Sequence, residues 1–434
     1  MTYYSLTNTA NMATFDQAVI RGLAPDRGLY FPSETPRLSE DFLQDLENKT
    51  AVEIGFEVMR PFVGGSIPDA RLRKIVEQTL CFEFPLVPIH NNVSTLELFH
   101  GPTMAFKDVG ARFMARCIGY FNEQNPKKVT VLVATSGDTG GAVASGFLGI
   151  EGTEVVILYP KGKVSHIQEL QLTTNGNNIK AVEVDGVFDD CQEMVKTAFL
   201  DNDLNSAYNL TSANSINVAR WLPQSLYFFF AYQQLKKQGI DKDLVFSVPS
   251  GNFGNICAGI VASKLGLPVH HFVASTNVND TVPRYLQTQE YNPYPSKQTI
   301  SNAMDVGNPS NFIRIQSLFN NDFNALKQQF SSFAFDDSQT QIALKALYND
   351  YNYIADPHGA VGYLGLQKYM QENPNVHGVF LETAHAIKFR DTVEKSLDVS
   401  LDTPEQIRHI LDKTPKKTAL KDYDAFKEYL LQRA

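Results

Sequence analysis

Val129-Thr130-Val131-Leu132-Val133-Ala134-Thr135-Ser136-Gly137-Asp138-Thr139-Gly140-Gly141 reads as a strand, a turn and the start of a helix. Val129–Ala134 is a nearly continuous apolar run, rich in β-branched residues. Such a run suits a strand buried on both faces, as in parallel sheets. Gly140–Leu148 after it is helix built from small residues. The alternation then repeats. Strands are expected at Val155–Tyr159, Ile179–Val184, Leu244–Val248, Val269–Ala274 and Val376–Leu381. Helices are expected at Val164–Thr173, Asp189–Phe199, Asn255–Leu265 and Gly359–Met370. Strands alternating with helices predict α/β layers with parallel sheets. Two groups of units flank Trp221–Gln234, so two open layers are expected rather than one. The tail, Pro404–Arg433, has a helical pattern.

The first 93 or so residues differ from the rest. An irregular start, Met1–Ser39, precedes helix-like blocks at Glu40–Asn48, Val52–Phe62 and Asp69–Thr79, punctuated by Pro61, Gly64, Gly65 and Pro68. This predicts a small helix-rich N-terminal domain. Phe84-Pro85-Leu86-Val87-Pro88 reads as a linker, because closely spaced prolines disfavour helix.

The chain has 434 residues, 43% of them hydrophobic and 20% charged, which excludes a mainly disordered protein. Its net charge of −9 and lack of Lys/Arg runs argue against nucleic acid. No apolar stretch approaches the ~20 residues that span a bilayer. Met1–Ile20 holds no Lys or Arg and no apolar core segment, so no targeting signal is expected there. Cys81, Cys117, Cys191 and Cys257 are widely spaced, which suits reduced thiols in a cytoplasmic protein.

Chemistry concentrates in a few stretches. Thr135–Gly141 lies between strand and helix, where backbone amides and hydroxyls make an anion site; the same residues also suit a capped turn. Pro249–Asn255 has the same placement and makes a second cradle. Two such loops at the C-terminal ends of parallel strands mark a ligand crevice. In His100–Asp108, Lys107 opens a helix-like segment after Met104-Ala105-Phe106. Helix N-terminus and apolar neighbours disfavour ammonium, so the pKa falls toward roughly 7–8 and the amine can form a Schiff base. An ordinary exposed lysine is the competing reading. Asn214–Arg220 enters a helix, and Arg220 suits bidentate phosphate or carboxylate binding or a surface position. Glu382-Thr383-Ala384-His385 follows a strand, with His385 and His270-His271 read as structural. No metal-ligand motif is present.

Taken together, His100–Asp108 (HGPTMAFKD), Thr135–Gly141 (TSGDTGG), Ser250–Asn255 (SGNFGN) and Asn277–Pro283 (NVNDTVP) resemble the threonine synthase family, in the bacterial and fungal form with a long N-terminal domain. The resemblance spans nearly the whole chain and implies the tryptophan-synthase-β fold of pyridoxal 5′-phosphate enzymes. It implies an N-terminal domain over 1–93 and a catalytic region over 94–434, with a smaller unit near 108–225 and a larger one from 94–107 plus 226–434. Lys107 matches the Schiff-base lysine. Ser250, Gly251, Asn252, Phe253, Gly254 and Asn255 match the cofactor-phosphate loop. Thr383 matches the hydroxyl facing the pyridine nitrogen. The implied reaction converts O-phospho-L-homoserine and water to L-threonine and phosphate. Asn214, Ser215 and Arg220, with Thr135, Ser136, Asp138 and Thr139, are assigned to substrate. Many relatives of this fold place Asn where this chain has Asp138, and a carboxylate there repels the cofactor's 3-oxygen unless a proton is shared. Two alternatives use the same residues: a phospho-lyase yielding 2-oxobutyrate, and a non-catalytic phosphate-metabolite binding protein. A monomer or homodimer, with only small-molecule partners, is expected.

Overall fold

The computed structural model describes residues 1–124 and 128–433. Val129–Ala134 is a strand buried at every position. It pairs in parallel with Thr153–Pro160 on one side and Asn209–Ser212 on the other, with Val131 opposite both Val155 and Thr211. Each fully buried Val or Leu contributes ~1.5–3 kcal/mol relative to exposure, so this ladder anchors its layer. Ile179–Val184 and Thr418–Leu420 complete a five-stranded, all-parallel sheet.

A six-stranded sheet makes the other layer. Its order is Phe330–Ala334, His271–Thr276, Leu244–Pro249, His377–Glu382, Val93–Glu97 and Leu86–His90. All neighbours run parallel except the last pair. The expected two-layer α/β architecture is therefore present.

Four details differ from expectation. Leu86–His90 is a strand, not a linker, because Pro88 sits on the outer edge of the sheet where its missing N–H costs nothing. The tail is not helical throughout: Thr418–Leu420 separates the helices Glu405–Leu411 and Tyr423–Leu431. That strand joins the five-stranded sheet, so the tail returns to the smaller unit rather than staying with 226–434. The N-terminal region also carries a small antiparallel sheet of Met12–Ala13, Tyr3–Ser5 and Tyr30–Pro32 beside its helices.

The N-terminal region is bolted to the segment that enters the site. Phe31 stacks on Trp221 with ring centres 5.9 Å apart. Val19 carbonyl accepts from Thr211 Oγ1 at 3.1 Å and Asn217 Nδ2 at 2.9 Å. Buried Arg314 donates to the carbonyls of Tyr30, Ser215 and Ile216. The cysteines are all free, and Cys117, Cys191 and Cys257 are buried.

Candidate active site

Lys107 is the first residue of the helix Lys107–Gln124. Its approach is fixed by backbone contacts to the end of the strand His377–Glu382. Phe106 N donates to Thr383 O at 2.9 Å, and Ala105 bridges to Ala384. Tyr227 hydroxyl donates to Phe106 O. Gly110, one turn on, lies against the Arg220 carbonyl so closely that a Cβ would collide with it. These contacts set Lys107 on the wall of a cavity of about 840 Å³, counted to its open mouth.

The C-terminal ends of both sheets supply this cavity. Lys107, Ser136, Asp138, Thr139, Asn214, Ser215, Arg220, Gly251 to Asn255 and Thr383 all line it. Thr135 and Ser250 do not. Thr135 Oγ1 accepts from Gly137 N at 2.9 Å and Gly140 N at 2.8 Å, capping the helix Asp138–Phe147 from beneath. Ser250 Oγ donates to Val248 O at 2.8 Å, facing back into its own strand. Each hydroxyl is consumed by local backbone. His385 and His271 lie outside the cavity wall: His385 Nδ1 accepts from Ile387 N, and His271 pairs with Ser331.

The loop after Leu244–Pro249 is an anion cradle. Phe253 holds a left-handed φ of 61° as it enters the helix Gly254–Lys264. The N–H groups of Gly251, Asn252 and Phe253 donate to no acceptor among the described residues. Those of Gly254 and Asn255 open the helix, where no intrahelical acceptor exists. Asn255 Nδ2 ties back to Pro249 O at 2.8 Å, and Asn252 Oδ1 accepts from Ser310 N at 3.2 Å. Free amides at a helix N-terminus suit a phosphate dianion.

Electrostatics complete the picture. Lys107 is half-buried, and desolvation lowers its pKa to about 8, with Lys388 and Arg220 adding to the effect and Asp138 opposing it. Its Nζ takes no hydrogen-bond partner among the described residues. Burial would raise the Asp138 carboxyl, but the charges of Lys388 and Lys107, with hydrogen bonds from Lys388 and Gln168, hold it well below its usual range. Arg220 is 2% exposed and burial lowers its pKa to about 10, so it stays cationic at neutral pH. One guanidinium N–H goes to Ala213 O, while Nε has no protein partner.

Sequence reasoning missed three parts of this site. Lys388 is fully buried, 2.7 Å from Asp138 Oδ1 and 2.9 Å from Thr103 O. His358 lines the cavity, with Nδ1 2.7 Å from Asp356 and Nε2 accepting from Ala303 N at 3.2 Å. Ala303, Met304 and Val306 form an apolar wall beside the cradle. A lysine inside the apolar Ala386-Ile387-Lys388-Phe389 is the one signal that could have been read.

A lysine with a depressed pKa, facing an amide cradle and a strand-end hydroxyl, fits pyridoxal phosphate, and the fold and site together define a pyridoxal-phosphate-dependent enzyme. Residues 85–384 match the family described as pyridoxal-phosphate dependent enzyme. Residues 2–80 match the threonine synthase N terminus, and 359–430 the threonine synthase C-terminal family. The chain belongs to the threonine synthase family. It is 44% identical to the threonine synthase of Haemophilus influenzae over 407 residues, covering 94% of each chain. The crystal structure of threonine synthase from Escherichia coli superposes with a TM-score of 0.94 at 42% identity, covering all of both chains. A PLP-bound threonine synthase from Brucella melitensis gives 0.92 at 34% identity, covering 100% of this chain and 99% of that one.

Proposed function

We infer that this enzyme converts O-phospho-L-homoserine and water to L-threonine and phosphate. One observation carries the reading: a single cavity sets two groups of phosphate-class donors around Lys107. One group is the free amides of Gly251 to Asn255, which would hold the cofactor phosphate. The other is Arg220 with the hydroxyls of Ser136, Thr139 and Ser215, which would hold the substrate phosphate. Thr383 would face the cofactor ring. A neutral hydroxyl there favours an unprotonated ring nitrogen.

When bound, the cofactor supplies an electron sink for charge developing beside the amino-acid carbons. The protein's residues do the rest. Lys107 Nζ, with its pKa near working pH, removes the Cα proton and serves the later transfers along the Cα–Cβ edge. Arg220 neutralises the phosphate as its bond to Cγ breaks, and water then adds at Cβ. Asp138 stays ionised through Lys388 and steadies the Lys107 ammonium between transfers. Met304 and Val306 exclude bulk water from that wall.

In this reading the smaller α/β unit bears the substrate-phosphate side, and the larger bears Lys107 and the cofactor cradle. The enzyme is cytoplasmic and acts as a monomer or homodimer on a small molecule. No described helix is long and apolar enough to cross a membrane. The test is turnover of O-phospho-L-homoserine with threonine and phosphate both quantified. Equal yields are expected; 2-oxobutyrate as the main product would sink the reading in favour of the phospho-lyase.

A further inference from the structure

The active-site cavity has a neighbour on its substrate-phosphate side. Asn214, Ser215, Asn252 and Ala134 line both the main cavity and a second, smaller one. Lys107 and Thr383 line only the first. The second cavity in turn shares Leu23, Lys196, Phe199, Ile216 and Ser310 with a broad groove at the surface. Three regions of the chain therefore converge on one passage: the N-terminal region through Leu23, the helix Phe188–Leu200 through Lys196 and Phe199, and the loop at Ser310.

Apart from Ala134 the residues shared by the two cavities are polar, while Leu23, Val195, Phe199 and Ile216 wall the second cavity farther out. Asn214 lines both cavities, with Nδ2 donating to Ala134 O at 2.8 Å and Oδ1 accepting from Ala134 N at 3.3 Å. Ser215 Oγ accepts from Asn311 Nδ2 at 3.2 Å. Amides and hydroxyls can be handed from protein partners to a passing anion without leaving a buried polar group unpaired. The outer groove has an excess of positive charge. Arg21, Arg27 and Lys196 line it, against Glu193 as the acid. Arg27 and Lys196 are exposed and make no ion pair among the described residues. The groove is broad and opens to solvent, about 2200 Å³ counted to its open mouth.

We propose that inorganic phosphate leaves the active site through this second passage, past Asn214 and Ser215 and out between Leu23 and Lys196. The amino acid departs by the main mouth. The proposal rests on the phosphohomoserine reading above, because it needs phosphate to be freed beside Ser215. It also gives the N-terminal region a working part, since Leu23 lines both the second cavity and the outer groove.

Two variants test it in the holoenzyme. Lys196→Glu reverses an exposed charge on the outer wall, and Leu23→Trp narrows the passage. In a single turnover, acid quench reports phosphate formed, and a fluorescent phosphate sensor reports phosphate free in solution. Wild type should show the two nearly together. Lys196→Glu should delay release about tenfold behind formation, the lower end of what local charge does to ion flux. Raising ionic strength should shrink the difference between wild type and variant. Leu23→Trp should delay release at all salt concentrations while threonine formation stays unchanged. Unaltered release in Lys196→Glu, with Leu23→Trp either unaltered or unfolded, overturns the passage. Failure of wild type to make threonine overturns the substrate reading and the passage with it. Normal threonine with unaltered release overturns the passage alone.

Discussion

Lys388 Nζ and Asp138 Oδ1 form a 2.7 Å ion pair across the cleft, with both side chains sealed from solvent. Lys388 follows a strand of the six-stranded sheet, and Asp138 opens a helix on the five-stranded one. The pair therefore ties the two layers together beside Lys107. On the proposed reading, Lys388 would also offset the Asp138 carboxylate beside the cofactor's 3-oxygen. With Lys388 2.7 Å from that carboxylate, no shared proton would then be required.

Lys388→Met should lower stability by about 3–5 kcal/mol, the usual result of leaving one member of a buried pair alone. The pH dependence follows from the native pKa of Asp138, which is depressed. Its stabilising contribution is full above the unfolded value of about 3.9 and is lost as pH falls through the native value. Without Lys388 the native pKa rises, so that loss moves toward neutral pH. Thermal melts from pH 4 to 8 should show the variant weakening at higher pH than wild type. Parallel melting curves would show that the pair carries no such charge coupling. The bound cofactor's absorption should also become pH-dependent over that range.

Arg220→Ala removes a guanidinium whose Nε has no protein partner among the described residues and which the proposed reading gives to the substrate phosphate. A charge-assisted hydrogen bond contributes ~1.5–3 kcal/mol, so kcat/KM for O-phosphohomoserine should fall about 10–100-fold. Arg220→Lys should recover little, because an ammonium lacks the planar fork. Steady-state kinetics decide it, and full activity in the Ala variant would favour a substrate without phosphate.

The alternation of apolar strands and small-residue helices was legible because strands buried on both faces have no polar positions to blur the pattern. Val129–Ala134 and Ile179–Val184 match their expected limits. The edge strand Leu86–His90 was hidden by Pro88, and Asn209–Ser212 by its polar composition. Thr418–Leu420 is a short edge strand at the surface, with no burial pattern to read. Loop residues at strand ends, such as Gly251 and Thr383, could be placed because βα turns carry glycine and hydroxyl signals. Lys388 could not, since its partner lies 250 residues away in sequence and burial of a lysine leaves only a faint local trace. Thr135 and Ser250 show the converse. Their residue type fits a ligand site, but whether a hydroxyl faces ligand or backbone is decided by the turn's geometry.

Lys107 should make the protein less stable in its cofactor-free form than a neutral side chain would. Its native pKa of about 8 lies below the ordinary lysine value because the cavity penalises the charge. Between those two values the unfolded chain binds more protons, so stability rises with pH across that window. Lys107→Met should thus melt about 2–4 °C higher than apo wild type at pH 7. The advantage should shrink as pH passes 8 and approaches 10. The same variant should lose turnover entirely. A lower melting point at pH 7 would mean that Lys107 is paired rather than strained.

Arg314→Met tests whether the N-terminal region shapes the site or merely rests on it. The guanidinium is fully buried, sits 5.0 Å from the Trp221 ring centre, and serves the carbonyls of Tyr30, Ser215 and Ile216. One side chain thus connects an N-terminal strand to the loop that carries Ser215, a residue of the cavity wall. Removing it leaves those carbonyls unpaired, with a stability loss of about 3 kcal/mol. If the connection also sets the loop, KM for O-phosphohomoserine should rise several-fold, and the cofactor absorption should shift with it, because Arg314 also donates to Asn311 Oδ1 and Asn311 Nδ2 holds Asn252 O of the cradle at 3.0 Å. A drop in melting temperature with KM unmoved would confine Arg314 to holding the fold. A change in both would make the N-terminal region part of substrate recognition.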